Sequence, residues 1–319
     1  MHSSNWAASL LSLPFTRPNE SLVRHTTMRV GGPALVWVEP NTEAELTAFL
    51  ELNQQIGAPL YVLGSGSNVV PTDEGWNGAV LHLGKGFNTA RTEENVLVAG
   101  GAAFLPKLTH FANDNRLGNF EWACGIPGSV GGSVWGNAGA RGWNGTAFEG
   151  RDSAADFAGC IAFDRRGVRH ELAREDVDFS YRRSSLGELI VTEARFALKP
   201  LTPQQATVHK EGIRQLLDVR RQTQPANAAS AGCVWKNPKV EGCLGAGALV
   251  EQCGLKGQNC GAARVSEVHA NFIVNTGGAT SEQVRELALY VEEIVEEQTG
   301  IKLEREARFW PTRKTAYAR

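Results

Sequence analysis

Three short stretches of this 319-residue chain carry side chains that could do chemistry. Tyr181-Arg182-Arg183-Ser184 places two guanidinium groups between strand-like segments. These are either solvated loop arginines or a means of stabilising a developing negative charge. Cys233 follows a glycine directly and precedes Lys236 and Asn237. Such a thiol is either a small buried hydrophobe or a reactive group. Glu304 and Glu306 share parity on an expected last strand, with Arg308 on the same face and Arg305 opposite. One of these carboxyls could face a pocket as an acid or hydrogen-bonding partner, or the four could form a charged edge strand. Spacing alone does not choose between Glu304 and Glu306.

Two further stretches are built to hold rather than to react. Gly64, Ser65, Gly66, Ser67 and Asn68 follow an expected strand. They lack the third glycine of the dinucleotide fingerprint and no helical period starts behind them, so a nicotinamide-type Rossmann site is poorly supported. The turn is either ordinary or a holder of pyrophosphate. Residues 125–140 contain six glycines and a single bulky aromatic, Trp135. Glycine costs roughly 1 kcal/mol of conformational freedom in a helix, and the usual return is close backbone approach or positive φ. The run is either a long surface loop or a nest of N–H groups for phosphate oxygens.

These groups need a framework, and the apolar periodicity supplies one. Strands are expected at 34–38, 59–63, 79–83, 96–99, 158–163, 189–198, 270–275 and 301–310. Helices are expected from the Thr42/Glu45 capping pair, burying Leu46, Phe49 and Leu50, and at 104–113, 203–220 and 245–253. A long helix opens at the Thr280/Gln283 capping box and stops at Gly300. The small, polar stretch 222–232 reads as a domain boundary.

Composition excludes several classes. The chain has 32 basic and 34 acidic residues and a formal net charge of −2, with no basic block interleaved with aromatics. Nucleic acid is therefore not expected as a partner. The apolar run at 7–13 is diluted by Asn and Ser and has no preceding Lys or Arg, so neither a signal peptide nor a membrane helix is expected. The six cysteines show no CxxC pair, which fits reduced thiols in the cytoplasm, and no metal motif is present. The tail at 313–319 is expected to be solvated.

Taken in order, the motifs resemble those of the UDP-N-acetylenolpyruvoylglucosamine reductases (MurB), flavoenzymes of peptidoglycan precursor synthesis. They are Thr27-Met-Arg-Val-Gly-Gly32; the 64–68 turn; Gly125-Ile126-Pro127-Gly128 with Gly131-Gly132 and Asn137-Ala-Gly139-Ala; Tyr181-Arg182; Cys233-Val-Trp-Lys-Asn-Pro238; Gly254-Leu-Lys-Gly257; Val265-Ser-Glu-Val-His-Ala-Asn271; and Leu303-Glu-Arg-Glu-Ala-Arg308. The resemblance spans residues 25–308. It implies an α+β, FAD-binding fold of the vanillyl-alcohol-oxidase (PCMH) type, with subdomains at 1–80 and 81–220. A substrate-binding domain at 221–302 and a strand and tail at 303–319 returning to the active site would follow. The short path from Ser184 to Leu189 resembles the variety lacking an extra substrate-covering loop.

The resemblance also implies roles. Arg29, the 64–68 turn, Gly125, Ile126, Pro127, Gly128, Gly131, Gly132, Asn137 and Gly139 would bind non-covalent FAD. NADPH would reduce the flavin and leave, and flavin N5 would deliver hydride to the enolpyruvyl group. Arg182 and Glu306 would stabilise the resulting enolate, and Cys233 would supply the proton, giving UDP-N-acetylmuramate. Tyr181, Arg221, Lys236, Asn237 and His269 would contact the nucleotide sugar. A monomer is expected. The chain departs from the pattern at Cys233, where a serine is usual, at Trp235 for phenylalanine and at Ala307 for valine. The stretch between 140 and 164 reads as an extended surface loop. A same-fold FAD oxidase acting on a small alcohol or sugar is the alternative enzyme, and a nucleotide-binding protein without turnover is the alternative class.

Overall fold

The stretches 157–163 and 190–197 are apolar enough to be buried only inside a covered sheet, and the computed structural model, which describes residues 5–311, has that arrangement. The tail at 313–319 lies outside the described residues. The chain divides into two compact units. The first comprises Met1–Pro18, Val36–Ser65 and Gly78–Val219, the second Asn19–Leu35, Gly66–Asn77 and Arg220–Arg319.

Helix α1 (Asn5–Leu11) is followed by α2 (Glu43–Ile56), which buries Leu46, Phe49 and Leu50. Thr42 accepts the Glu45 N–H at 3.1 Å as expected, but the Glu45 carboxylate takes the N–H of Asn41 rather than that of Thr42. A four-stranded sheet runs in the order Thr16–Ser21, Pro33–Val38, Trp76–Leu81, Leu60–Val62. Trp76–Leu81 thus lies between the two strands that flank α2, and it pairs in parallel with Leu60–Val62.

The first unit's larger sheet has the order Arg169–Ala173, Phe157–Phe163, Ile190–Ala197, Val96–Gly100, Ala90–Glu93, and every pairing is antiparallel. Ala99, Ala194 and Phe196 of this sheet share a core with Leu105 and Leu108 of α3 (Leu105–Asp114) and with Val130 and Val134 of α4 (Val130–Trp135). The Phe120 ring sits 5.1 Å from that of Phe196 and 5.4 Å from that of Trp122.

Two expectations in this unit change. Part of 125–140 is a helix, because Ser129 caps α4 by accepting the Gly132 N–H at 3.4 Å and Val130 and Val134 are buried. The extended loop past residue 140 begins as a hairpin, Gly139–Trp143 with Phe148–Asp152, closed by the Trp143 and Phe148 rings at 4.8 Å. Trp143 packs directly on Gly212 of α5 (Pro203–Thr223).

The second unit is built on the sheet Ala229–Cys233, Phe272–Asn275, Ala263–Val265, Asn259–Cys260. Helices α6 (Ala246–Gln252) and α7 (Ser281–Thr299) complete its core, with Val284, Leu287, Ala288, Val291 and Val295 of α7 buried around Trp235. The expected capping box holds: Gln283 N–H reaches Thr280 Oγ1 and Thr280 N–H reaches Gln283 Oε1. Asp73 adds a cap the sequence did not announce, accepting from Ser281 and Glu282 N–H at 2.7 and 3.0 Å.

The expected last strand, 301–310, is cut to Arg308–Phe309, which pairs in parallel with Val69–Val70. Upstream, the N–H groups of Glu306 and Ala307 both donate to Val234 O, and only Arg305 bridges to Trp235. Two donors sharing one acceptor interrupt the regular ladder between Glu306 and Ala307. Glu304 is exposed, Arg305 and Glu306 are half-buried and Ala307 is buried.

Candidate functional site

Cys233 ends a strand whose ladder with Phe272–Asn275 slips between Ser230 and Cys233. Gly232 supplies the slip with φ +76, a conformation that a side chain would strain. A bulge of this kind re-aims the side chain that follows it. Cys233 is half-buried there, opposite Phe272. The next residues are held by Asn271: its backbone O accepts Val234 N–H, its Oδ1 accepts Trp235 N–H at 2.9 Å, and its Nδ2 donates to Trp235 O at 2.9 Å. Asn271 is buried, and its amide stands in for a missing rung of the ladder.

Glu306 arrives on the other side of this segment, its N–H donating to Val234 O at 2.8 Å. Asn68 ties in the 64–68 turn: its Nδ2 donates to Glu306 O at 3.2 Å and its O accepts Arg308 N–H at 2.9 Å. The second unit therefore brings together Cys233, Glu306 and Asn68. The buried indole of Trp235 donates to Glu292 Oε1 on α7 at 2.8 Å, and Glu292 also receives Arg305 Nε at 2.6 Å and Nη2 at 2.9 Å. The Arg305 guanidinium lies over the Phe309 ring, 4.5 Å from its centroid.

The remaining second-unit candidates divide by what they touch. Lys236 pairs through both main chain and side chain with Glu304. Asn237 Oδ1 caps α6, accepting Ala246 N–H at 3.0 Å. His269 is held with Nδ1 accepting from Asn271 N–H, so its proton sits on Nε2. Burial, with Lys256 adding to it, pushes its pKa below the ordinary histidine value, leaving a neutral N–H donor. Arg221 lies exposed near the end of α5.

The Thr27–Gly32 motif is pinned to the same sheet. Thr27 Oγ1 donates to Ser230 O at 2.6 Å, and Asn275 Nδ2 donates to Met28 O at 3.0 Å. Arg29 is exposed in the left-handed region, φ +58. Thr27 N–H also donates to Gly66 O at 3.0 Å. Gly66 has φ +63, and a Cβ there would overlap the His25 carbonyl oxygen.

In the first unit the two small-residue stretches meet. A Cβ on Gly64 would stand 2.5 Å from Ser129 Oγ, so the turn lies against the capped start of α4. Ahead of it Gly128 O accepts Leu105 N–H, which fixes the path of Gly125, Ile126, Pro127 and Gly128 onto α3. Gly131 packs on Val191 O, where a Cβ would come within 3.0 Å. Asn137 is buried at φ +42, its Nδ2 donating to Asp152 Oδ2 and Ser180 O and its Oδ1 accepting Ala154 N–H, so its amide anchors the hairpin. Gly139 opens that hairpin, close against Arg151 O. Arg182 has φ +57 in a two-residue turn between Phe179–Ser180 and Arg183–Ser184. Its guanidinium lies 5.3 Å from the centroid of the exposed Tyr181 ring. A left-handed arginine in so tight a turn is the kind of local strain that collects at functional sites.

These segments suit a flat, phosphate-bearing cofactor. The turn carries nothing larger than Ser and Asn, and its first residue stacks on a second small-residue segment that opens a capped helix. Sequence reasoning passed over the roles of Asn271 and Asp73, because each acts through a bond to a residue distant in the chain.

A reductase of Symbiobacterium thermophilum described as UDP-N-acetylenolpyruvoylglucosamine reductase 2 is 40% identical to this chain over 296 residues, covering 92% of each. The chain belongs to the UDP-N-acetylenolpyruvoylglucosamine reductase family. The reductase of Heliobacterium modesticaldum is 38% identical, covering 91% of this chain and 88% of that one. Residues 34–149 match the family model described as FAD binding domain, and 224–310 the C-terminal domain of UDP-N-acetylenolpyruvoylglucosamine reductase. The crystal structure of the reductase (MurB) from Thermus caldophilus superposes with a TM-score of 0.75 at 33% identity, covering 93% of this chain and 98% of that one. The fold is accordingly the expected α+β, FAD-binding fold of the vanillyl-alcohol-oxidase type.

Proposed function

We propose that this chain is a flavoenzyme that uses NADPH to reduce the enolpyruvyl ether of UDP-N-acetylglucosamine to the lactyl ether, UDP-N-acetylmuramate, in peptidoglycan precursor synthesis. The observation that carries this reading is 40% identity over 92% of the chain to a relative named for that substrate. FAD held by this chain would supply hydride chemistry, with NADPH as its reductant. Arg29, the 64–68 turn and the 125–139 segment hold that cofactor through backbone groups and small side chains.

The chain's own residues do the rest. When hydride reaches the terminal carbon, the double-bond electrons move toward the carboxylate, and Arg182 stabilises the negative charge that develops there. Glu306 assists by hydrogen bonding. The Cys233 thiol gives its proton to the adjacent carbon, and the thiolate regains a proton from solvent. An ordinary thiol, with a pKa of about 8.5, lies far below a hydroxyl and can donate that proton. Tyr181, Arg221, Lys236, Asn237 and neutral His269 orient the nucleotide sugar. Within the same reading, residues 1–80 and 81–220 serve the flavin, 221–302 the substrate, and the described part of 303–319 returns to the active site. The protein works as a cytoplasmic monomer; among the described residues no helix is long and apolar enough to cross a membrane.

The purified protein should be yellow, release FAD on acid treatment, and oxidise NADPH only when the enolpyruvyl sugar is supplied. Protein that stays colourless after incubation with FAD, or that consumes oxygen with a small alcohol instead, overturns the proposal.

A further inference from the structure

The segment carrying Cys233 and the segment carrying Glu306 are joined to each other by one side chain from a third element. Glu292, in the fourth turn of α7, accepts the Trp235 indole N–H at 2.8 Å and Arg305 through Nε and Nη2 at 2.6 and 2.9 Å. Trp235 stands two residues after Cys233, and Arg305 immediately precedes Glu306. The two residues also bridge each other through the backbone. One carboxylate oxygen therefore serves both segments, and the second fixes the guanidinium by a two-point grip. Glu292 and Arg305 are largely withdrawn from solvent, with side chains 20% and 24% exposed, and the Trp235 side chain is fully buried. Little water competes for these bonds. The Phe309 ring under Arg305 restrains the guanidinium further.

We propose that Glu292 is a positioning residue: through Trp235 and Arg305 it sets the placement of Cys233 relative to Glu306. The bond to Trp235 needs an indole N–H, which a phenylalanine would lack. This inference rests on the reading in which Cys233 donates the proton and Glu306 assists at the same centre.

The test uses the FAD-loaded protein and the variants Trp235→Phe, Glu292→Gln and Glu306→Gln. Trp235→Phe keeps a buried ring and removes only the indole donor, whereas Glu292→Gln keeps an acceptor for the indole and removes the charge facing Arg305. Loss of about 1 Å of registration at a reacting centre costs up to about 100-fold, and a single loosened bond should cost about tenfold in kcat. The expected result is that fall in Trp235→Phe, with KM for the enolpyruvyl sugar within about twofold of wild type and the NADPH half-reaction unchanged. Glu292→Gln should lie between wild type and Trp235→Phe.

A second readout needs no turnover. In protein stripped of FAD, iodoacetamide alkylation at Cys233, followed by peptide mass spectrometry, should change at least about threefold in Trp235→Phe while that at Cys243 does not. Unchanged kcat and unchanged Cys233 alkylation in both clamp variants overturn the clamp. A loss that falls equally on both half-reactions, with a lowered melting temperature, also overturns it, because that is the mark of a purely structural bond. Failure of the underlying reading looks different: Glu306→Gln would then turn over like wild type.

Discussion

Replacing Gly66 by alanine should damage the 64–68 turn far more than replacing Gly64, although only one residue separates them. At Gly66 the new methyl would overlap the His25 carbonyl oxygen and stand 2.9 Å from both His25 C and Thr26 Cα. All three are backbone atoms, so no rotamer change can relieve the clash. Alanine also resists φ +63, at a cost of about 1 kcal/mol. Moving the 25–27 segment aside stretches two bonds, Thr27 N–H to Gly66 O and Thr27 Oγ1 to Ser230 O, each contributing about 1 kcal/mol. The local cost is about 3 kcal/mol. At Gly64 the nearest atom is Ser129 Oγ at 2.5 Å and the next lies at an ordinary 3.7 Å. Rotating one hydroxyl solves that clash, at the expense of the α4 cap, about 1 kcal/mol.

Hydrogen exchange reads this difference locally, because the Thr27 amide is itself bonded to Gly66 O. In the unit holding Gly66, about 3 kcal/mol corresponds to exchange faster by roughly 100-fold in peptides covering residues 22–32. The Gly64 variant should leave those peptides within about threefold of wild type. FAD affinity measured by flavin fluorescence should fall further in the Gly66 variant than in the Gly64 variant. Equal exchange in the two proteins, or a larger effect at Gly64, would refute the reasoning.

The other predictions concern charge and thiols. Arg182→Lys should lower kcat by about 10²–10³ with FAD content unchanged, since a point charge replaces a preorganised fork; a loss below tenfold removes Arg182 from the proposed role. Burial pushes the Cys160 thiol up to about 11, with nearby Arg195 only partly opposing it, so Cys160 should resist iodoacetamide at pH 8 while alkylation of Cys233 inactivates the enzyme. Cys233→Ser should retain turnover and lose that sensitivity, and unchanged sensitivity would clear Cys233 of the effect. Asp164, in the turn between Phe157–Phe163 and Arg169–Ala173, is raised by burial, but bonds from the Arg166 side chain and from the Val168 and Arg166 N–H groups outweigh this and hold it at about 2. Its folded pKa lies below the unfolded value of about 3.9, so its stabilisation is complete above that pH and is lost as pH falls through about 2. Hairpin exchange, corrected for intrinsic rate, should therefore rise between pH 4 and 2 in the wild type and stay flat in Asp164→Asn; matching curves would sink this assignment.

Features decided by neighbours in sequence were legible in the chain. The capping box at Thr280 and Gln283, the apolar stripe of α7 and its stop at Gly300 are all local, and the structure follows them. The turn at 64–68 was recognised for the same reason. What escaped was the pairing of segments far apart in the chain. Residues 125–140 read as either a surface loop or a phosphate nest, because glycine is a poor helix former, yet Ser129 caps a short helix whose Val130 and Val134 are buried in the core. The regular strand expected over 301–310 is interrupted because Val234 O takes two N–H groups, a choice made on another segment.

The same distinction explains why the proposed site was only half visible. Cys233, Arg182 and Glu306 could be picked out by residue type, since a thiol, a guanidinium and a carboxylate announce their chemistry. The residues that aim them do not. Asn271 spends its whole amide on the Trp235 backbone, Glu292 joins Trp235 to Arg305, and Gly232 turns the strand ahead of Cys233. Each is unremarkable in sequence, and each acts only because the fold delivers a partner to it. A thiol at position 233 is thus a small change in chemistry placed on a heavily determined backbone. Its effect on turnover should depend on how well that backbone keeps its register as much as on the acidity of sulfur.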